Sequence, residues 1–406
     1  MNPIRVATLA ILLLLGCGCA DRIDFANLGD QPADRERRIL VTFIDRGIQR
    51  DLPGNSQDRY RTRGTYGNSS WSERIALKLA ERHQLRFVAQ WPVTELGVSC
   101  VVYEIPNSLP LPQVIGELQN DDDVGSVQAM QSFQVLADPP AGNPTHGDPY
   151  LPLQTAYNAL NIGEWHKRAT GQGIRIALID TGVDVEHPDL KGQIDYSENL
   201  APEPGDHNLA DMHGTAVAGV LSARPDNGIG IAGIAPAADV LALRACWPEQ
   251  PNALAARCNS FTLALALNQA IRMNARIINL SLSGPEDPLL KMLIEKALTK
   301  DIIVIAAVPG NPLAGGFPAN IPGVIAVNQL DLNLKADGNQ IAAPGRDILT
   351  TLPHESYDFM TGSSFATPHV AGLTALLLQL HPDWRAAEIK QQLLHPENLL
   401  SALNAD

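Results

Sequence analysis

The sequence predicts an α/β protein in which helices cover both faces of a parallel sheet, with a smaller α+β module in front of it. From about Pro152 onward, apolar runs of strand length alternate with helical stretches. The strand-like runs are continuously apolar, which is typical of strands that are buried on both faces. Before this region the predicted elements follow the order β-α-β-β-α-β. The Pro- and Gly-rich stretch "ADPPAGNPTHGDPY" lies between the two parts and predicts a domain boundary.

The front module opens with "RRILVTFI", a short run that predicts a strand. In the next segment Ser70 and Glu73 form a capping-box pattern, and Ile75 and Leu79 share one face of a predicted helix. "FVAQW" and "GVSCVVYEI" predict two strands, "PQVIGELQ" predicts a short helix, and "GSVQAMQSFQVL" predicts a last alternating strand. This order of elements is that of a ferredoxin-like split βαβ module.

In the second region, strands are predicted from "IRIALI", "VLALRA", "RIINLSL", "IIVIAAV" and "GVIAVNQL". Helices are predicted from "TAVAGVLSA", "FTLALALNQAIRMN" and "PLLKMLIEKALTK", and a further apolar helix is predicted in "MTGSSFATPHVAGLTALLL". We therefore divide the chain into a leader, a linker, the α+β module, a second linker and the α/β domain, at residues 1–16, 17–37, 38–136, 137–150 and 151–406.

The composition is ordinary for a globular protein, with 45% hydrophobic and 18% charged residues in a chain of 406. The formal net charge of -14 argues against nucleic-acid binding and against polybasic adhesion to anionic membranes. This length allows two or more domains and at least one large core.

The first residues have the pattern of an export signal. One Arg is followed by an apolar stretch from Val6 to Leu15, which is too short to span a bilayer. The sequence from Leu14 to Cys17 resembles the bacterial lipobox, in which the cysteine is acylated and becomes the mature N-terminus. A plain signal peptide that is cut nearby is the alternative. We expect a membrane attachment through a lipid at Cys17 in the cell envelope, and Gly18 in place of Asp favours the outer membrane.

Three cysteines follow the leader, and export implies an oxidising compartment in which disulfides persist. Cys246 and Cys258 bracket "WPEQPNALAAR", which has the composition of a surface loop. A disulfide that closes this loop would stabilise the fold by about 3 kcal/mol. Two free thiols are the alternative. Cys100, within the apolar run "VSCVVYEI", is interpreted as a buried small hydrophobic residue.

Three polar residues stand at the ends or starts of predicted elements. Asp180 ends the strand in "GIRIALIDTG", His213 precedes a helix of small residues, and Ser364 precedes the last apolar helix. In parallel α/β sheets, chemistry collects at the carboxyl ends of the strands. A serine hydroxyl is inert until a histidine takes its proton, and a carboxylate holds that imidazole in the required tautomer. The three residues are therefore candidates for a nucleophilic triad.

The motifs around these residues are "DTG", "HGT" and "GSSFATP", in that order. On these motifs the chain from about Gly147 to Leu400 resembles the subtilases, the subtilisin-like serine peptidases. The resemblance implies a subtilisin-like fold with Ser364 as the nucleophile, His213 as general base and then acid, and Asp180 as the orienting carboxylate. The order of the three residues excludes α/β-hydrolases and chymotrypsin-like enzymes.

The front module likewise resembles the propeptide of that family, an intramolecular chaperone and inhibitor whose last strand enters the active cleft. The resemblance implies a zymogen that cuts itself in the Pro/Gly linker, between about Val135 and Asn143. The partners that it implies are a peptide or protein substrate and the chain's own propeptide as an inhibitor.

The loop that would complete the oxyanion site departs from the family pattern. The family usually supplies an Asn side chain from "AAGN", whereas this chain has "IAAVPGNPLAGGFPAN". Asn311 is the expected donor, but because Pro309 intrudes, the position of the Asn could instead be that of Gly310. Loss of such a donor costs roughly 10²–10³ in rate, a figure measured on subtilisin itself.

By the same resemblance, "NLSLSG" would pair with the substrate backbone, with an ordinary core strand as the alternative, and "GGFPA" would floor the first specificity pocket. These segments supply the expected substrate-binding residues, which are Ser281, Leu282, Ser283, Gly316 and Phe317.

Other signals carry less weight. "GIGIAG" matches a dinucleotide-binding pattern but does not link a strand to a helix. His207, Asp211 and His213 lack a fourth ligand for a metal, so no metal site is assigned and no cofactor is required. Many subtilases hold calcium near the positions of Asp189 and Asn227, so the resemblance leaves a structural calcium open there.

We therefore expect a serine endopeptidase that is made as a zymogen, exported and lipid-anchored. The alternative is a weakly active or non-catalytic protein that keeps the fold for binding or scaffolding while its altered oxyanion loop leaves it nearly silent. A fluorophosphonate probe separates the two, because it labels only a serine that is activated by its base.

Overall fold

A computed structural model describes residues 37–44, 70–135, 150–201, 209–250, 252–310, 316–330, 335–337 and 340–395. Cys17, Asn311 and nearly all of the expected cleavage segment lie outside these residues. Within the part of the chain that is described, no helix combines the length and the apolar character needed to cross a membrane.

The front module is a four-stranded sheet with two helices against one face. Its elements are β1 (Arg38–Ile44), α1 (Ser70–Arg82), β2 (Arg86–Val93), β3 (Val98–Glu104), α2 (Leu111–Gln119) and β4 (Ser126–Ala129). The strands lie in the order β2-β3-β1-β4, and all neighbours are antiparallel. Val41, Phe43 and Tyr103 on one face of this sheet pack with α1 and α2.

A further strand, β5 (Ser132–Val135), leaves the module after β4. The remaining elements are α3 (Thr155–Ala159), α4 (Ile162–His166), β6 (Arg175–Asp180), β7 (Ile194–Asn199), α5 (Met212–Ser222), β8 (Asp239–Arg244), β9 (Cys246–Pro248), β10 (Ala256–Asn259), α6 (Ser260–Arg272), β11 (Ile277–Leu280), β12 (Leu282–Ser283), α7 (Pro288–Thr299), β13 (Ile303–Ala307), β14 (Ile325–Leu330), β15 (Lys335–Asp337), β16 (Gln340–Pro344), β17 (Ile348–Leu352), β18 (Ser356–Met360), α8 (Ser363–Leu380) and α9 (Ala386–Leu394).

The main sheet has the strand order β15-β16-β14-β13-β11-β6-β8-β7. All of its strands run parallel except β15, which pairs antiparallel with β16 at one edge. Because successive side chains of a strand point to opposite faces, each central strand contributes to two cores. On β6, Ile176 and Leu178 pack in the core that contains α5 and α8, whereas Ala177 and Ile179 pack in the core that contains α6 and α7. The predicted α/β fold with a two-sided parallel sheet is confirmed.

The second of these cores also includes the other face of the front module. Leu40, Trp91 and Val102 are buried in the same cluster as Phe261 of α6 and Leu290 of α7. The ring centroids of Trp91 and Phe261 are 4.4 Å apart in an edge-on contact. The apolar interior is therefore continuous between the module and the α/β domain.

Polar contacts flank this shared core. The side-chain amide of Gln128 donates to Oδ2 of Asp287 at 2.7 Å and accepts from the backbone N–H of Leu289 at 3.1 Å, at the start of α7. Oδ1 of Asn268 on α6 accepts from the backbone N–H of Glu95 at 3.3 Å. These directional bonds fix the orientation of the module on the two helices.

The strand β5 belongs to a second sheet, with the order β12-β5-β10-β9. Leu282 of β12 faces Val135 on one side, and Cys258 of β10 faces Phe133 on the other, both in antiparallel register. The sequence predicted one continuous strand through β4 and β5, which is wrong. The chain changes sheets at Gln131, whose backbone N–H and C=O bond to Ser260 instead of continuing the first ladder.

The cysteines are arranged as the sequence analysis predicts. A disulfide joins Cys246 to Cys258 across the hairpin of β9 and β10. Cys100 is a buried free thiol whose pKa is raised well above its ordinary value by burial. The alternative of two free thiols at 246 and 258 is thereby excluded.

Candidate active site

The last residue of β6 and the second residue of α5 meet in a buried hydrogen bond. Oδ1 of Asp180 lies 2.7 Å from Nδ1 of His213, and the two side chains are 1% and 0% exposed. Because a carboxylate only accepts, Nδ1 carries a proton and donates it, and in the neutral imidazole this leaves a lone pair on Nε2. Nε2 has no hydrogen-bond partner among the described residues. This is the tautomer that a general base requires.

Close approach of β6 and α5 brings this pair together. The backbone N–H of Gly214 donates to Oγ1 of Thr181 at 2.8 Å. A Cβ atom on Gly214 would lie 2.6 Å from the carbonyl oxygens of Thr181 and Gly182, so the first turn of α5 can lie this close to β6 only with glycine at this position. Oδ2 of Asp211 ties the same turn, since it accepts from the N–H of Gly182 at 2.8 Å and from Nε of Arg244 at 2.9 Å.

Ser364 is the second residue of α8 and is fully buried. Its Oγ donates to the backbone oxygen of Ser281 at 3.1 Å, and Oγ of Ser281 donates to the backbone oxygen of Ser364 at 2.9 Å. The next residue, Phe365, places its ring centroid 5.4 Å from that of the His213 imidazole. The first turn of α8 therefore lies against the imidazole, while the hydroxyl of Ser364 bonds to Ser281 and not to Nε2.

Topology explains this juxtaposition. The strand β11 lies beside β6 in parallel register, with Leu280 opposite Ile179. Asp180 and Ser281 are the next residues on these two strands, so both stand at the carboxyl edge of the sheet. The first turn of α8 meets the same edge through its two bonds with Ser281.

A groove for an extended chain begins at this edge, with β12 and β10 as its two walls and β5 between them. Phe133 of β5 is fully buried in it, and its ring centroid lies 5.9 Å from that of Phe317. A Cβ atom on Gly284 would overlap the ring of Phe133. Gly284, which follows β12, also donates its N–H to the backbone oxygen of Phe317 at 2.9 Å. This bond joins the segment that carries Phe317 to the end of β12.

Of the expected substrate-binding residues, Leu282 and Ser283 form β12, Ser281 bonds to Ser364, and Phe317 lies against Phe133. Gly316 is exposed beside them. The strand β10 was not predicted from the sequence, because its first two residues, Ala256 and Arg257, were included in the segment interpreted as a surface loop. The alternation of buried Ala and Cys with more exposed Arg and Asn in "ARCN" is the signal that could have identified it.

The expected oxyanion donor, Asn311, lies outside the described residues, which stop at Gly310 and resume at Gly316. The backbone N–H of Ser364 stands at the start of α8, where the N–H groups of a helix have no partner within the helix and favour negative charge. Deeper in α8, Nδ1 of His369 donates to the backbone oxygen of Phe365 at 2.8 Å. Burial lowers the pKa of His369 to about 4, so this imidazole is neutral at pH 7.

The residues considered for calcium do not fit that ion as they are arranged. Oδ1 of Asp189 accepts from Nδ2 of Asn227 at 2.7 Å, and Oδ2 accepts from the N–H of Ile231 at 2.8 Å and the hydroxyl of Tyr357 at 2.9 Å. Oδ1 of Asn227 in turn accepts from the N–H of Ile229 at 2.9 Å. Donors thus occupy the oxygens that calcium would need. In the described ranges, no group of three or more His, Cys, Asp or Glu residues is arranged so that it could hold a metal ion.

Comparison with known proteins agrees with this geometry. The Subtilase family model matches residues 171–403. The chain is 34% identical to subtilisin E of Bacillus subtilis over 238 residues, which cover 55% of this chain and 60% of that protein. It is 32% identical to subtilisin Savinase of Lederbergia lenta over 250 residues, covering 59% of this chain and 89% of that protein.

Among solved structures, the chain is similar to fervidolysin from Fervidobacterium pennivorans, with a TM-score of 0.65 at 20% identity. The match covers 91% of this chain and 61% of fervidolysin, and at this identity it shows the fold alone. The family model covers the main sheet, the paired Asp180 and His213, and the first turn of α8. The chain therefore belongs to the subtilase family.

Proposed function

We propose that this subtilase is a serine endopeptidase that cleaves peptide bonds with Asp180, His213 and Ser364. The observation that carries the proposal is the buried 2.7 Å bond between Asp180 and Nδ1 of His213, with Nε2 left as an unpaired acceptor. An orphaned buried nitrogen is costly unless another group uses it. The transfer of a proton from a serine hydroxyl is the use that this arrangement fits.

In the proposed reaction, Oγ of Ser364 attacks the scissile carbonyl carbon while its proton moves to Nε2 of His213. The imidazolium then gives that proton to the leaving amine, and an acyl ester remains on Ser364. Water attacks this ester while His213 takes a proton from the water, and His213 then returns the proton to Oγ of Ser364. Oγ now bonds to Ser281, so a change of the Ser364 side-chain rotamer precedes attack. Asp180 stabilises the imidazolium and keeps the ring in place.

The negative charge that develops on the carbonyl oxygen needs donors. We propose the backbone N–H of Ser364, at the start of α8, as the first donor. Asn311 is proposed as the second, on the family pattern alone. Its loss would reduce the rate by roughly 10²–10³, a figure known from subtilisin, so the enzyme would be slow and still active.

We propose that the substrate binds as a strand between β12 and β10. Support comes from the chain's own β5, which makes a backbone ladder with both walls at once. A strand added in this way fixes the register of an extended peptide, and side-chain pockets then give selectivity. Because the walls contact several residues before the cleaved bond, the proposal is for cleavage within a chain. The pocket around Phe133 favours a large apolar residue there.

The position of β5 also supports a zymogen. Residues 132–135 fill the groove that the substrate would use, and the module that carries them is buried against α6 and α7. Val135 faces Leu282 in the ladder. Leu282 follows Ser281 in the chain, and Ser281 bonds to the proposed nucleophile, Ser364. We therefore propose self-cleavage within a few residues after Val135. The secreted Ser364→Ala protein should remain larger than the parent, and equal masses would refute self-processing.

Fluorophosphonate labelling tests the proposed activity. We expect labelling of the parent protein that is lost in Ser364→Ala and strongly reduced in His213→Ala, with digestion of a peptide library giving the preferred sequences. The comparisons do not favour the silent scaffold, since the relatives named above are subtilisins. Folded protein that is never labelled, after the front module has been removed, would instead support the scaffold.

Attachment to the cell envelope is a separate proposal that rests on the sequence from Leu14 to Cys17. Metabolic labelling with an alkyne fatty acid should mark the parent and not Cys17→Ser. Incorporation into both proteins, or into neither, would contradict a lipid at Cys17.

A further inference from the structure

The disulfide between Cys246 and Cys258 lies on the wall of the groove and not at a remote loop. It joins directly opposed residues of β9 and β10, and β10 is the strand that pairs with β5. The Cα atoms of the two cysteines are 4.2 Å apart, which is the close spacing of a non-hydrogen-bonded antiparallel pair. In such a pair the peptide groups of Cys258 point away from β9 and toward β5.

A neighbouring bond agrees with this orientation. The backbone N–H of Ser260 donates to the carbonyl oxygen of Gln131 at 3.1 Å, two residues along each strand from Cys258 and Phe133. Hydrogen-bonded pairs recur at every second residue of an antiparallel ladder. Cys258 is therefore the residue whose backbone bonds to the chain that occupies the groove, at Phe133.

The side chains of Ala256 and Cys258 are buried in the core and Asn259 caps α6, but within the sheet β10 has little support on its outer side. Among the described strands it pairs with β9 and β5 only, and β9 has three residues. The ion pair between Arg257 and Glu249 spans the same hairpin, but the side chains are 54% and 34% exposed. Such an exposed pair contributes little to stability. Once β5 is replaced by a substrate, the disulfide is the covalent link that ties this wall to β9.

We propose that the Cys246–Cys258 disulfide is a positioning element for the substrate, which keeps β10 in register so that it can bond to residues before the cleaved bond. The inference rests on the proposed peptidase function. The cysteines take no part in bond cleavage. Cys258 faces the bound chain at Phe133, whereas Ser364 bonds to Ser281 on the opposite wall of the groove. Loss of the disulfide should therefore weaken the binding of long peptides and spare the reaction itself.

The double substitution Cys246→Ser and Cys258→Ser, made in the full chain and allowed to mature, tests this. For substrates with four residues before the cleaved bond we expect kcat/KM to fall about tenfold, mainly through KM, as for the loss of one or two hydrogen bonds. An ester with a single residue there, and fluorophosphonate labelling, should change less than twofold. Glu249→Gln, which breaks the ion pair in the same hairpin, is the matched control and should behave as the parent.

A second measurement does not require turnover. In the uncut Ser364→Ala chain, removal of the disulfide should speed hydrogen–deuterium exchange of the amides in 132–135 and 256–259 about tenfold, with β6 unchanged. Equal losses for long and short substrates would overturn the proposal, as would unchanged exchange in the two strands. If the parent itself is never labelled, the peptidase assignment fails. The exchange result then still decides whether the disulfide holds β10.

Discussion

A methyl group at Gly214 tests whether activity depends on the close approach of β6 and α5. A Cβ atom there would lie 2.6 Å from two carbonyl oxygens, whereas a tolerated carbon–oxygen contact is about 3.3 Å. The start of α5 must therefore retreat by the difference, about 0.7 Å. The same movement would stretch the 2.7 Å bond between Asp180 and His213 to about 3.4 Å, outside hydrogen-bond range.

The upper limit of the effect is the loss of the triad aspartate, which costs roughly 3 × 10⁴ in kcat, a value measured on subtilisin itself. Because Gly214→Ala displaces the pair without removing it, we expect kcat to fall by about 10²–10⁴. Overpacking at this position should also lower the free energy of unfolding by about 1–3 kcal/mol. The fall in rate and the loss of stability are separate readouts of the same displacement.

The assay is the rate of fluorophosphonate labelling and of hydrolysis of a small ester, with thermal unfolding as the check that the protein is folded. Gly163→Ala is the matched control, since a Cβ atom there would have no neighbour within 4 Å. It should be labelled at the parent rate. A folded Gly214→Ala protein that is also labelled at the parent rate would refute the reasoning.

Four further outcomes are expected. Phe133→Ala, which empties a fully buried site in the groove, should speed labelling of protein that still holds the front module about 10²-fold, as a Phe-to-Ala loss of about 3–5 kcal/mol allows; an unchanged rate would show that β5 does not block Ser364. Trp91→Ala should lower the free energy of unfolding in urea by about 3–5 kcal/mol, and a loss below about 1 kcal/mol would contradict the shared core. Burial holds the pKa of His369 at about 4, below the value of 6.5 that it has in the unfolded chain. Its contribution to stability is therefore complete above pH 6.5 and falls by about 3 kcal/mol as the pH falls to 4. Because burial also lowers the pKa of His166 and His187, urea melts between pH 7.5 and 4 should show a slope in both proteins, with the loss of stability about 3 kcal/mol smaller in His369→Gln than in the parent; equal slopes would contradict the buried neutral imidazole. A calcium chelator should leave the melting temperature unchanged while Tyr357→Phe lowers it, and a drop on chelation that is lost in Asp189→Asn would show that Asp189 binds a metal.

The central strands could be predicted because burial on both faces leaves a plain record in the sequence. In "IRIALI" and "IIVIAAV" the only polar residue is Arg175, at the start of β6, and the rest of both strands is buried, so β6 and β13 were identified with their neighbours. The edge strand β7 was not predicted, because it is not buried on both faces and so lacks a continuous apolar run. Its sequence, "IDYSEN", has only partly buried or exposed side chains, and polar residues of this kind are equally typical of a loop.

The pairing of Asp180 with His213 could also be anticipated, since the end of a strand and the start of a helix were both visible in the motifs. The rotamer of Ser364 could not, because it depends on the carbonyl of Ser281, which lies 83 residues away in the chain. The division of the last predicted strand into β4 and β5 was hidden for a related reason. Alternation identifies a strand, but it does not say which neighbour that strand will have.

The interior that the front module shares with α6 and α7 has a consequence for activation. Scission of one peptide bond after β5 would change the connectivity of the chain and leave the contact between Trp91 and Phe261 in place. The nicked protein would then persist as two associated fragments, with the groove still filled. Proteolysis would begin only when the cleaved front module is degraded by enzyme molecules whose groove is already empty. Activity should therefore rise slowly at first and then accelerate.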